Sequence, residues 1–244
     1  FPTRRSSDLP NHKVAKAQMK DFGGMLSFVT KGADYDAAIK IVEKLKELRP
    51  KLKLDVDGHS EISISYCPER VIPGRIIHEL VNNDRVIGGL TANCAAHAKK
   101  FYSHFVQGKC LKTSSLEQAE LIKLTENSFR DVNIAFANEL SMICEQLAID
   151  VWEVIDAAAT KPFGFMPFYP GPGLGGHCIP IDPFYLSWKA REYDKHTRFI
   201  ELAGEINTAM PDYVISKVAD ALNDEGKAIK GSRVLVLGLA YKAN

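Results

Sequence analysis

The run from Leu116 to about Ala159 constrains the fold of this chain most, because it contains neither proline nor glycine. Those two residues are the poorest helix formers, so the run predicts one continuous helix. At about 1.5 Å per residue this helix would reach roughly 60 Å. A helix of that length seldom stays single in a compact domain, and we therefore expect it to organise a dimer interface.

Shorter patterns before and after this run predict the strands and helices of an α/β arrangement. Ile62–Tyr66 alternates as a strand does, Arg85–Gly89 is a short strand that ends in glycines, and Thr91 is placed to cap a helix that runs to about Phe105. Arg233–Gly238 predicts a buried strand of the kind that opens an α/β unit. Further strands are expected at 23–29 and 110–112, and further helices at 35–48, 183–192 and 198–222, the last with a bend at Pro211.

The segment from Tyr169 to Pro183, YPGPGLGGHCIPIDP, predicts a reactive thiol. It places Cys178 among glycines and prolines, with Asp182 four residues later. Glycines let backbone N–H groups approach a ligand, prolines stiffen the loop, and a thiol beside such donors can become a thiolate nucleophile. The alternative is a Pro/Gly turn that contains a structural cysteine.

The same loop also matches the dinucleotide-binding pattern GxGxxG at Gly171, Gly173 and Gly176. No apolar strand precedes these glycines, and Pro180 follows where a helix should begin. The match therefore does not predict a dinucleotide-binding turn.

The composition excludes several classes of partner. The chain has 31 basic and 30 acidic residues, so a nucleic-acid partner is not expected. No stretch approaches the roughly 20 apolar residues of a membrane helix, and there is no secretory signal. The 5 cysteines lack the spacing of metal ligands and predict free thiols, a cytoplasmic location and no bound metal.

Three further polar residues are candidates for chemistry beside the thiol. Lys123 and Asn127 are four positions apart, so they share one helix face and could stabilise an oxyanion. The alternative for this pair is a solvated helix face. Glu69 directly follows the strand at 62–66, at the kind of strand end where open α/β sheets bind ligands; the alternative is a helix-terminal charge or a surface ion pair.

Four segments together resemble the UDP-sugar 6-dehydrogenases, and within these the bacterial branch that acts on UDP-N-acetylhexosamines. The segments are CPERVIPG, NDRVIGG, LIKLTENSFRDVNIAFANEL and GPGLGGHCIPIDP. The resemblance covers about residues 47–244. Its first half, to about residue 150, is similar to enzymes for the mannosamine sugar, and the part from about 153 to enzymes for the glucosamine sugar. The epimer is left open, and a composite chain is one interpretation.

The residues before 47 do not share this resemblance. The runs HKVAKAQM at 12–19 and FGGMLSF at 22–28 resemble instead the C-terminal domain of the pyridoxal-phosphate enzymes of cystathionine and methionine metabolism; the alternative is an ordinary strand–helix unit. Residues 1–9 are similar to translated adapter DNA, and we exclude them from reasoning about the fold.

The resemblance to UDP-sugar dehydrogenases implies an NAD-dependent, two-step oxidation of the sugar C6 alcohol to a carboxylate. Cys178 would hold the intermediate as a thiohemiacetal and then as a thioester. Lys123 and Asn127 would stabilise negative charge, Glu69 would relay protons, and Asp182 would order water. The implied substrate-binding residues are Tyr169, Gly171, Gly173, Gly175, Gly176, Tyr241 and Lys242.

The implied fold is mostly α, with a partial α/β Rossmann remnant and a central helical dimerisation domain of the 6-phosphogluconate-dehydrogenase-like type that contains a very long helix. No strand–GxGxxG–helix unit precedes Tyr66, so the NAD-binding residues are not assigned and we expect negligible turnover. The expected partners are a UDP-N-acetylhexosamine and a second copy of the chain. The expected divisions are 1–9 (artefactual), 10–46 (an unassigned strand–helix segment), 47–113 (Rossmann remnant), 114–222 (helical domain) and 223–244 (start of a UDP-sugar-binding domain).

Two other functions are compatible with the same residues. Cys178 could serve a cysteine hydrolase or acyltransferase that uses a histidine as base, although His177 is poorly placed because adjacent residues seldom form a nucleophile–base pair. The long helix could instead belong to a non-catalytic dimerisation module, in which Cys178 would have no role.

Overall fold

The computed structural model describes residues 25–27, 37–51, 53–54, 62–72, 74–176 and 178–238. Most of the segment 12–28, together with His177, Tyr241 and Lys242, lies outside these ranges. The chain divides between Lys123 and Leu124 into two compact units. None of the helices in the described ranges has the apolar length that crossing a lipid bilayer requires.

A small mixed sheet forms the centre of the first unit. Its strands are β1 (Met25–Ser27), β2 (Ser63–Tyr66), β3 (Arg85–Gly89) and β4 (Cys110–Thr113), in the spatial order β1-β2-β3-β4. Strands β1 and β2 are parallel, β2 and β3 antiparallel, and β3 and β4 parallel. Every residue of β3 is buried, whereas β2 alternates between buried and half-buried positions. The three strands predicted at 62–66, 85–89 and 110–112 are thus confirmed, with small shifts of their ends.

Three helices of the first unit alternate with these strands along the chain. They are α1 (Ala37–Leu48), α2 (Ile76–Asn82) and α3 (Ala92–Tyr102). The predicted cap of α3 is confirmed, because the Thr91 side chain accepts a hydrogen bond from the backbone N–H of Cys94 at 3.4 Å.

Helix α1 forms within the stretch 35–48 that was predicted as a helix, and it contributes to the core of this unit. Val42 of α1 packs in one buried apolar cluster with Ile64 of β2 and Val86 of β3. The backbone N–H of Ala38 donates to a carboxylate oxygen of the fully buried Glu120 at 2.9 Å. A carboxylate at this position satisfies a free donor of the helix and interacts favourably with the helix dipole.

The glycines that end β3 are required by close packing. A Cβ at Gly88 would lie 2.5 Å from the backbone oxygen of Ser115, and one at Gly89 would lie 2.4 Å from the backbone nitrogen of Ala95. The space beside both glycines is therefore occupied by the backbone of the chain itself.

The second unit is helical. Helix α4 (Leu116–Gln146) begins in the first unit and is followed by α5 (Val151–Ala159), α6 (Asp182–Arg191) and α7 (Arg198–Asp224). Helix α7 continues through Pro211. The apolar side chains buried in this unit include Leu124, Ala135, Ile155, Ala203 and Met210.

The prediction of one helix from Leu116 to about Ala159 is wrong, because α4 ends at Gln146. Ala148 adopts a left-handed conformation with φ 54°, and the N–H of Ile149 bonds back to the carbonyl of Cys144 at 2.9 Å. Asp150 then accepts the N–H of Trp152 at 2.8 Å and begins α5. Helix α4 has 31 residues and is about 46 Å long.

The strand predicted at Arg233–Gly238 is also not formed, since this segment has no regular structure. Leu235 and Leu237 are 81% and 89% exposed. A strand needs a neighbour to pair its backbone groups. No strand of the described ranges pairs with this segment, so its apolar side chains do not enter a core.

Candidate active site

Cys178 lies at the turn that leads into α6, and its thiol is exposed. The carbonyl oxygen of Cys178 accepts the N–H of Ile181 at 3.2 Å and that of Asp182 at 2.8 Å. The turn therefore fixes the backbone at Cys178 while the sulfur stays accessible, which is the arrangement that a nucleophile requires.

Asp182 and Asn127 form a buried pair beside this turn. The amide nitrogen Nδ2 of Asn127 donates to Oδ2 of Asp182 at 2.6 Å. Asp182 is 2% exposed and is the first residue of α6, where a carboxylate is favoured by the helix dipole. The structure thus brings together three of the predicted site residues, namely Asn127, Cys178 and Asp182.

The other two predicted catalytic residues are Lys123 and Glu69. Lys123 is half-buried and lies one turn before Asn127 on α4, so the two side chains share a helix face as predicted. Glu69 is exposed in the loop after β2. Lys123 thus lies on the predicted helix face, and Glu69 follows a strand as predicted. The catalytic roles of both residues stay predictions.

Tyr169, at the start of the glycine-rich loop, contacts helix α5. Its ring stacks on Trp152 with centroids 5.5 Å apart, and its hydroxyl donates to Oδ1 of Asp156 at 2.8 Å. This hydrogen bond to Asp156 raises the pKa of the Tyr169 phenol. The contact with α5 was not foreseen from the sequence, because Trp152 and Asp156 lie in a different local pattern.

The glycines of the loop differ in what surrounds them. Gly173 and Gly176 have positive φ angles of 122° and 84°, a conformation that favours glycine. Gly171 has free space around it, and its N–H donates to Oδ1 of Asn138 at 2.9 Å. Gly175 is half-buried. Sequence reasoning missed Asn138; the signal that could have found it is its spacing of eleven positions from Asn127, which puts both on one face of a helix.

The other four cysteines are each less exposed than Cys178. Burial raises the pKa of Cys67 to about 11, so this thiol stays protonated. Cys94 and Cys144 are buried in helices. No cluster of three or more His, Cys, Asp or Glu side chains within the described ranges could hold a metal ion.

Within the described residues of the first unit, the glycines at the strand ends can be compared with what the pyrophosphate of NAD requires. Such a site needs a glycine-rich turn between a strand and a helix, so that backbone N–H groups can reach the phosphates. In the described part of the sheet, the glycines at a strand end are Gly88 and Gly89, and backbone atoms fill the space next to them. These two glycines do not fit the role of a phosphate cradle.

Comparison with known families matches both units. Residues 27–106 match the NAD binding domain of the UDP-glucose/GDP-mannose dehydrogenase family, and residues 117–209 match the central domain of the same family. Together the two matches cover more than half of the chain. The first begins at residue 27, so it includes the last residue of β1 and the whole of α1, upstream of the resemblance seen in the sequence.

Individual relatives give the same result. UDP-N-acetyl-D-mannosamine dehydrogenase of Escherichia coli K12 is 45% identical over 211 residues, which is 84% of this chain and 49% of that protein. NDP-N-acetyl-D-galactosaminuronic acid dehydrogenase of Ralstonia nicotianae is 46% identical over 185 residues, which is 76% of this chain and 42% of that protein. The solved structure of a UDP-D-ManNAc dehydrogenase from Pyrococcus horikoshii superposes with a TM-score of 0.71 at 36% identity and covers 79% of this chain and 44% of that one. The chain spans about half the length of the curated relatives that it matches.

Proposed function

The chain belongs to the UDP-glucose/GDP-mannose dehydrogenase family, and on that premise we propose that Cys178 is the nucleophile of an NAD-dependent oxidation of a UDP-N-acetylhexosamine at C6. The product is the corresponding uronic acid. The observation that carries the proposal is the exposed thiol of Cys178, held at a turn whose backbone is bonded to Asp182, with Asp182 held in turn by Asn127.

The reaction requires capture of an aldehyde between two oxidations. The Cys178 thiolate adds to the C6 aldehyde and forms a carbon–sulfur bond, which gives a thiohemiacetal. Loss of a hydride, for which NAD⁺ would be the acceptor, and of the hydroxyl proton would convert this adduct into a thioester. Water then cleaves the carbon–sulfur bond, which releases the carboxylate and restores the thiol. Because the intermediate stays bound to sulfur, a reactive aldehyde is not released between the two oxidations.

The proposed catalytic side chains carry the donors and charges that these steps require. An asparagine amide has two N–H donors, and one of those on Asn127 is used by Asp182. The second donor, with the ammonium group of Lys123 on the same helix face, would stabilise the oxyanion of the thiohemiacetal. The buried carboxylate of Asp182 would order the water that cleaves the thioester, and Glu69 would carry its proton away. Tyr169 and the glycines at 171–176 would line the sugar.

The proposed substrate is UDP-N-acetylmannosamine or a close epimer. The E. coli relative is named for the mannosamine sugar, and the Ralstonia relative for a galactosaminuronic acid. Both names contain an N-acetylated hexosamine sugar, and this is the class of sugar that we propose for the substrate of this chain.

Protection of Cys178 from alkylation tests the capture step. The chain is incubated with the C6 aldehyde of UDP-N-acetylmannosamine, then treated with iodoacetamide, and labelling at each cysteine is measured by mass spectrometry. We expect the aldehyde to protect Cys178, while labelling of the half-buried Cys110 serves as an internal control. UDP-N-acetylmannosamine itself has no aldehyde and should protect far less. Equal labelling of Cys178 with and without aldehyde would show that this thiol is not the nucleophile.

We also propose that two copies of the chain pair through α4. Phe129, Phe136 and Ile143 recur every seven positions, so they lie close to one line on the helix, and they are 48%, 56% and 51% exposed. Phe129 and Phe136, together with Leu140, Phe165 and Phe168, border an apolar groove beside α4. Sedimentation equilibrium should give a dimer, and Phe136→Glu should give a monomer. A chain that is monomeric at micromolar concentration would contradict this pairing.

A further inference from the structure

A buried chain of hydrogen bonds connects the glycine-rich loop to helices α4 and α7. The N–H of Gly171 donates to Oδ1 of Asn138 at 2.9 Å, and Nδ2 of Asn138 donates to Oδ1 of Asn207 at 2.9 Å. Nδ2 of Asn207 donates in turn to the carboxylate Oδ1 of Asp131 at 2.7 Å and to the Asp131 carbonyl at 3.1 Å. All donors point in one direction, toward the carboxylate.

These side chains are removed from water. Asn138, Asn207 and Asp131 are 0%, 2% and 2% exposed. Polar groups in a low-dielectric interior are costly unless they are paired, and hydrogen bonds between them are stronger and more directional than in water. A chain of this kind therefore holds its members, including the backbone at Gly171, in one defined arrangement.

One face of α4 holds both ends of the loop. Asp131 and Asn138 lie four and eleven positions after Asn127, which places all three on the same side of the helix. Asn138 binds Gly171 before the thiol, and Asn127 binds Asp182 after it. The segment that carries Cys178 is thus attached to one helix at both ends.

Helix α7 supports the middle of the loop. A Cβ at Gly173 would lie 3.4 Å from Cδ of Pro211 and 3.5 Å from the backbone oxygen of Asn207. Pro211 has no N–H to offer to the carbonyl four residues before it, so the Asn207 carbonyl does not receive the usual helical hydrogen bond. The loop therefore passes over α7 at the position where the backbone hydrogen bonds of this helix are interrupted.

We propose that Asn138 and Asn207 are positioning residues: they hold the loop from residue 169 to 178 and thereby fix the place of Cys178. The part of this inference that concerns the chemistry of Cys178 rests on the function proposed above. The arrangement of the loop is measurable without that chemistry.

Hydrogen exchange of the whole chain, followed by mass spectrometry of its peptides, tests the inference. Asn138→Ala removes the acceptor of the Gly171 N–H, and exchange in the peptide 169–178 should become about tenfold faster. Exchange in the remainder of α4 and α7 should change much less. Asn133→Ala is the matched control, because Asn133 is an asparagine of the same helix whose amide donates to the Phe129 carbonyl of that helix at 2.7 Å. Equal acceleration throughout the second unit, or no acceleration in the loop, would overturn the proposal.

A pair of substitutions at Gly171 keeps the test independent of the stability of Asn138→Ala. Gly171→Pro removes the N–H that Oδ1 of Asn138 accepts, whereas Gly171→Ala keeps it and, among the described residues other than its chain neighbours, meets no atom within 4 Å. Only the proline variant should loosen the peptide 169–178, and the same exchange in both variants would refute the role of Asn138.

Aldehyde capture by the unsubstituted chain separates this inference from the proposed function. A loop that loosens in Asn138→Ala, in a chain whose Cys178 does not capture the aldehyde, supports the positioning role and rejects the nucleophile. Normal capture together with an unchanged loop in Asn138→Ala supports the nucleophile and rejects the positioning role.

Discussion

Replacement of Asn207 by alanine should lower the free energy of unfolding by about 3 to 5 kcal/mol. The substitution leaves two buried groups without the partner that the structure shows for them: the amide Nδ2 of Asn138 and the carboxylate Oδ1 of Asp131. Leaving a buried donor or acceptor without a partner costs about 1 to 3 kcal/mol, and more when the group is charged. The cavity left by the smaller side chain adds to this loss.

The loss should depend on pH, because Asp131 is one of the two groups. Burial raises the pKa of the Asp131 carboxyl, and the hydrogen bond from Asn207 lowers it in part. Without Asn207 the pKa in the folded chain rises further above its unfolded value. A carboxyl with a raised folded pKa destabilises the fold above that pKa, and the penalty is relieved as the pH falls through it. We therefore expect Asn207→Ala to be more destabilising at neutral pH than at mildly acidic pH.

Urea unfolding followed by tryptophan fluorescence measures this effect. Both tryptophans of the chain, Trp152 and Trp188, belong to the second unit, so the signal reports the unit that contains Asn207. Asn133→Ala is the control and should change the free energy of unfolding by less than about 0.5 kcal/mol, since the hydrogen bond of Asn133 to the Phe129 carbonyl lies within one helix. The reasoning is refuted if Asn207→Ala differs from Asn133→Ala by less than about 1 kcal/mol, or if its effect is the same at both pH values.

Three further predictions concern other parts of the chain. Gly88→Ala should destabilise the first unit by about 2 kcal/mol or more, because the added Cβ would lie 2.5 Å from the Ser115 oxygen; an unchanged thermal midpoint would contradict this. Thr91→Ala should cost about 1 kcal/mol through loss of the α3 cap, whereas Thr91→Ser should retain most of it in the same thermal scan. Hydrogen bonds from Lys217 and Tyr213 lower the pKa of Glu145, so their contribution to the stability of the fold is present above the ordinary pKa of a glutamate and is lost as the pH falls through the lowered pKa. Glu145→Gln should remove this loss of stability at acidic pH, as measured by unfolding midpoints across a pH series.

The local elements of the fold could be predicted from the sequence because their signals are local. The cap at Thr91, the strands at 62–66 and 85–89, and the helix that begins near residue 198 each follow from spacing within one short segment. The glycine-rich loop and its thiol were found in the same way. The length of helix α4 was overestimated, because residues 147–150 include neither proline nor glycine and the left-handed turn at Ala148 has no strong sequence signal.

The partners of the site residues were decided by tertiary structure alone. Asn127 and Asp182 are 55 positions apart, and Asp131 and Asn207 are 76 apart, so no local pattern relates them. The sequence by itself determined which side chains could do chemistry and which segments would become helices or strands. The packing of α4, α6 and α7 determined which of those side chains meet, because a polar group that is taken out of water must find its partner wherever the folded chain supplies one.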